Sequence, residues 1–244
     1  MANWSDPRTT AAGFPAQAGA RDAAFDAGLR SYMLSVYNYM ASGVLLTGIV
    51  ALLFASSGLA QSILMGPGLL KWLIILSPLA FVMVMSFGLN RLSTGALQAC
   101  FWAFATVMGL SMSSIFLVYT GTSIAQTFFA TAAAFAGLSL WGYTTKKDLS
   151  GFGTFLIMGL VGLIVASVIN IFLQSGTMAL VISFIGVLLF AGLTAYDTQR
   201  IKSMYAYVAG TDMMGKTVIM GALSLYLDFI NMFQFLLSFM GNRE

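Results

Sequence analysis

The chain has 244 residues, 59% hydrophobic and only 8% charged, with a formal net charge of +3 and no histidine. A soluble domain carries about 25% charged residues, so this composition excludes a water-facing globule. The missing histidines exclude His metal sites, His general bases and His pH switches.

The single cysteine, Cys100, leaves no intrachain disulfide and no Cys-cluster metal site. The basic balance does not signal nucleic acid. No basic cluster exceeds the pair Lys146 and Lys147, and most cations flank apolar runs, so no nucleic-acid partner is expected.

In chain order, residues 1–30 mix Asp, Arg, Pro, Ala and Gly without an apolar stretch. They read as a cytoplasmic, mobile tail rather than a cleavable signal peptide, turning helical around 22–30. Residues 31–244 read as a single seven-helix membrane domain. Apolar runs stand at about 33–56, 69–89, 97–119, 123–143, 153–173, 178–199 and 218–240. Each reaches the roughly 20 residues that cross a hydrocarbon core about 30 Å thick. The connections are short. Gly66, Pro67 and Gly68 part the first run from the second, "TTKKDLSG" (144–151) is the most polar link, and 199–216 is the longest. Small residues recur inside the runs, among them Ala41, Ser42 and Gly43, Gly109 with Ser113, Ala133 with Gly137, and Gly159 with Gly162. They read as close-packing positions and nothing more.

Cations sort strongly by side. With the N-terminus on side one, that side holds Arg8, Arg21, Arg30, Arg91, Lys146, Lys147, Arg200, Lys202 and Lys216. The other holds Lys71 and Arg243. Positive residues stay in the cytoplasm, so the N-terminus is expected inside. Seven crossings put the C-terminus outside, whereas a re-entrant last run would return it.

Only two acids fall within or at the edge of a run, Asp197 and Asp228. A charge at mid-helix costs about 2.5–3.5 kcal/mol on insertion scales. Asp228 lies about 15 Å into the last run and, with the sixth helix continuing to Ser203 as Arg200 and Lys202 reach for the inner surface, Asp197 lies about 9 Å from its inner end, by helical rise. Both therefore fall in the inner half of the membrane, on consecutive helices. Ser224, Asp228 and Asn231 follow at i, i+4 and i+7, and Thr194, Asp197 and Thr198 at i, i+3 and i+4. Such stripes point inward rather than at lipid. Each acid alone also fits a satisfied structural carboxyl. Together, two carboxylates in a low-dielectric interior tend to share a proton, which makes a pH-sensitive pair. They also offer up to four hard oxygens. Calcium takes six to eight, so water and carbonyls would complete a weak site suited to passage. Arg91, the cation at the cytoplasmic end of the second span, is a candidate latch for one aspartate and equally an orientation charge.

"AGLTAYDTQRIK" (191–202), "GALSLYLDFINMFQFLL" (221–237) and "YTTKKDLS" (143–150) resemble the signature segments of the Bax inhibitor-1 family, the transmembrane Bax inhibitor motif proteins. The likeness runs over nearly all of residues 30–240. It implies an all-α integral membrane protein of seven transmembrane helices, the last one central and wrapped by the other six. It implies a pH-regulated calcium leak controlled by two aspartates, carried here to Asp197 and Asp228. It also implies a basic latch near the end of the second helix, where Asn90 or Arg91 stands. Some bacterial members associate with a membrane-bound AAA protease.

The expected function is thus a proton-gated calcium leak with no catalytic residues. Calcium is the permeant ion, no cofactor is tightly bound, and the partners are the bilayer, calcium and protons. The alternatives are a regulator of a membrane AAA protease or stress pathway, and an intramembrane aspartyl protease. For the latter, Tyr196 and Asp197 fit, but Leu225, Tyr226 and Leu227 stand before Asp228 where a Gly-x-Gly motif is required. The bacterial inner membrane is the expected location, with a eukaryotic organelle membrane as the alternative.

Overall fold

A computed structural model of the chain describes residues 14–242, with side chains from Ala23 onward. The described residues form helices α1 (Phe14–Ser56), α2 (Leu59–Leu64), α3 (Leu69–Gly88), α4 (Thr94–Met112), α5 (Ile115–Val118), α6 (Gly121–Thr144), α7 (Ser150–Leu173), α8 (Gly176–Val208) and α9 (Met213–Met240). Seven stretches are long and apolar enough to cross a membrane: α1 from Ala23, α3, α4 continued by α5, and α6 to α9. They coincide with the seven runs read from the sequence. α9 has 28 residues, about 42 Å at helical rise, long enough to cross the hydrocarbon core in full.

Differences lie at the ends. Residues 1–13 of the expected tail lie outside the described residues. The helical turn expected around 22–30 is present but begins at Phe14 and runs unbroken into the first span, with Leu29 already buried. The third run is interrupted after Met112. There the hydroxyls of Ser113 and Ser114 donate to the carbonyls of Leu110 (2.7 Å) and Ser111 (3.3 Å), competing with the helical ladder. The sixth run continues past 199 to Val208. Its Lys202 ammonium donates to the Tyr143 carbonyl (2.7 Å) at the end of α6 and sits 4.8 Å from the Tyr143 ring. A cation at a helix C-terminus is favourable. Lys216 does the same for α3, donating to Leu89 (3.1 Å).

α9 is the axis of the bundle. Leu225, Tyr226, Phe229, Ile230, Met232 and Phe233 are all buried, so most of its circumference is covered, and the face of Ser224, Asn231 and Phe235 is half-buried. Its direct wall is α1, α4, α6 and α8. α3 leans mainly on α4, and α7 on α8. The last helix is therefore central as expected, with two of the other six in an outer position.

Lipid does not drive helices together as water does, so close packing and buried hydrogen bonds hold the bundle. At Gly109 a Cβ would lie 2.8 Å from the Thr47 carbonyl oxygen, which brings α4 backbone to α1 backbone. Beside it the Thr47 hydroxyl bonds the Ala105 carbonyl (2.8 Å) and the Tyr226 hydroxyl (2.6 Å). Phe101 and Phe104 meet the Tyr226 ring edge-on at 6.3 and 5.0 Å, each pair worth about 0.5–1.5 kcal/mol beyond area. A second tie crosses three helices. The Tyr37 hydroxyl meets Ser139 (2.6 Å), which meets Thr198 (2.9 Å). Gly137 and Gly162 have nothing within 4 Å and take no part in this packing.

Candidate functional site

α8 and α9 are neighbours in sequence and pack antiparallel along their length. That pairing brings the two intramembrane acids to one place. Asp228 is 4% exposed, and its Oδ2 accepts no hydrogen bond. Asp197 is half-buried. Both line a cavity of about 580 Å³ walled by α7, α8 and α9, with Tyr196, Ser224 and Asn231 among its polar lining. The two carboxylates lie near enough for their charges to act on each other. The Arg200 guanidinium, one turn along α8 at the cavity's edge, acts on Asp197.

A buried carboxylate oxygen without a donor is costly. It is an acceptor in want of a proton or a cation. Asn231 donates its amide to the Leu227 carbonyl (2.7 Å), which leaves its own oxygen available to the cavity. Among the described residues no group of three or more His, Cys, Asp or Glu exists that could hold a metal. A cation here would rest on two carboxylates, neutral oxygens and water, which suits a hard ion held weakly.

Of the supporting positions expected from sequence, Ser224 and Asn231 line the cavity. Thr194 and Thr198 do not. Each neighbouring residue turns about 100° around a helix, so Thr198 faces α6. There it meets Ser139 and donates to the Thr194 carbonyl (2.7 Å), while Thr194 donates to Phe190 (2.7 Å). Arg91 and Asn90 are exposed on the turn between α3 and α4, away from the cavity lining. Among the described residues no ion pair ties Arg91 to either aspartate. Cys100 is half-buried on α4.

Sequence reasoning did not single out Tyr196, Arg200 or Ser167 as cavity-lining residues. For Ser167 the signal was there: with Asn170, it is a polar residue inside one of the most apolar runs.

The architecture defines a multi-pass α-helical membrane protein whose acidic residues meet inside the bundle. The family described as "Inhibitor of apoptosis-promoting Bax1" matches residues 29–244, and the chain belongs to this Bax inhibitor-1 family. An uncharacterized protein of Rickettsia prowazekii is 47% identical over 221 residues, 90% of this chain and 93% of that protein. An uncharacterized protein of Caulobacter vibrioides is 46% identical over 234 residues, 91% and 93% of the two chains. The inner membrane protein YbhL of Escherichia coli is 45% identical over 220 residues, 89% and 94%. The chain is a multi-pass protein of the bacterial inner membrane.

Proposed function

We propose that the protein is a pH-sensitive calcium leak, in which protonation of the Asp197–Asp228 pair decides whether the cavity holds a cation. One observation carries this: two carboxylates from antiparallel helices open into one cavity, and the deeper has an oxygen with no donor. When both are charged they repel, and a divalent cation relieves both at once. A shared proton removes that demand. Arg200 and Tyr196 are the other charged or titratable groups of the lining. Arg200 competes with the cation for Asp197 and keeps the site weak enough to release it. On this reading the cytoplasmic side holds the N-terminus and the cavity's basic rim.

The test is calcium flux into proteoliposomes across a pH series. Asp228→Asn and Asp197→Asn should each cut flux and flatten its pH dependence. Flux that keeps its size and pH profile in both variants would sink the reading.

A further inference from the structure

Beyond the acid pair, α8 and α9 face each other in three rungs. Asp197 and Asp228 form one. Two turns further on, the rings of Phe190 and Phe235 stack at 5.8 Å and 25°. Beyond them the Ser183 hydroxyl donates to Ser238 (3.0 Å). On α8 the rung residues recur every seven positions, and on α9 Ser224, Asp228, Asn231, Phe235 and Ser238 share one face. Of these five only Phe235 is apolar, with Leu227 beside them in the cavity lining.

The empty space follows the same line. A second cavity of about 340 Å³ lies around Ser167, Asn170, Ser183, Gln234 and Ser238, and it shares Ser167, Ile171 and Phe235 with the aspartate cavity. At the other end a cleft of about 320 Å³ beside Lys147, Asp148, Gln199 and Ser203 shares Tyr196 and Arg200 with it. From Ser183 to Ser203 along α8 is about 30 Å by helical rise, the thickness of a hydrocarbon core.

We infer that the ion's route runs along the α7–α8–α9 seam through these three chambers in series, and that the Phe190–Phe235 stack is its gate. This rests on the leak reading. The outer chamber offers hydroxyls and amides. Gln234 has no hydrogen-bond partner among the described residues, as a chamber for a hydrated cation requires. Two stacked rings between chambers that each carry polar side chains among apolar ones form a constriction that water leaves readily, and such constrictions gate by dewetting. Gly186 gives the gate its seat, because a Cβ there would lie 2.6 Å from the Phe235 ring.

The experiment uses the full chain with its one cysteine replaced, Cys100→Ala, and single cysteines introduced at Ser238 and Ser224. A charged, membrane-impermeant methanethiosulfonate is applied from either face. Ser238→Cys should label from the face opposite the Lys147 cleft. Ser224→Cys should resist label from that face until Phe235→Ala is added, and Phe235→Ala should raise calcium flux several-fold. Phe190→Leu, a milder change in the partner ring, should raise it in the same direction. The route is overturned if Ser238→Cys reacts with a lipid-soluble maleimide but with the charged reagent from neither face, which marks a lipid-filled seam. The gate is overturned if both ring variants leave labelling and flux unchanged. A wild-type protein that moves no calcium while the labelling pattern holds would remove the leak reading and leave the water-filled route standing.

Discussion

Gly142 of α6 lies directly against the backbone of Ala195 on α8: a Cβ on the glycine would overlap the Ala195 carbonyl oxygen and lie 2.9 Å from its Cα. Backbone cannot step aside as a side chain can. Gly142→Ala should therefore force α6 off α8 and destabilise by about 1–3 kcal/mol. Gly137→Ala, where nothing stands within 4 Å, should melt with the wild type. Thermal unfolding in detergent compares the two; equal melting of both variants would refute the close approach.

Asp228 is buried, and one of its carboxyl oxygens accepts no hydrogen bond, which is a structural cost. Replacing a buried, unsatisfied carboxyl with an apolar side chain should stabilise, by about 1–3 kcal/mol. Asp228→Leu should melt higher than the wild type at neutral pH while losing pH-dependent flux. A lower melting temperature would mean that the carboxyl has a structural partner.

Ser139 is the middle member of the tie from Tyr37 to Thr198. Ser139→Ala leaves the buried end of that tie without its donor or acceptor and should cost about 0.6–2 kcal/mol. Tyr37→Phe should cost less, and the double variant less than the two summed, because both cut the same link. Strict additivity in a double-mutant cycle would argue against a linked tie.

Asp148, outside the membrane, accepts from the Ser150 N–H (2.9 Å) where α7 begins. Those hydrogen bonds from the Ser150 side chain and backbone hold its carboxyl below the ordinary 3.8. With the folded value the lower one, the carboxylate's contribution is complete above the ordinary value and is lost as pH falls through the folded one. Hydrogen exchange at the first turn of α7 should therefore speed up in acid relative to Asp148→Asn, in which the difference should vanish.

The seven spans were legible because a stretch of 20 apolar residues has few other uses, and the acid pair because a carboxylate in such a stretch stands out. Helix ends were less so. Lys202 and Arg200 look like the close of a span, yet α8 runs on because Lys202 finds the Tyr143 carbonyl, a partner 59 residues away in the chain. Thr198 sits beside Asp197 in sequence, but which of the two turns to α6 depends on where α6 lies. Phe190 and Phe235 were illegible as a pair. Among 20 phenylalanines, nothing local marks the two that stack between α8 and α9.

The ties from Thr47 to Tyr226 and from Tyr37 through Ser139 to Thr198 are all made of uncharged hydroxyls. An acid load or a change in membrane voltage therefore finds almost nothing to pull on in that frame. On the proposed leak reading the response falls on the seam where the carboxylates stand, so detection would not loosen the bundle, and substitutions in the frame should shorten the protein's lifetime without shifting the pH dependence of flux.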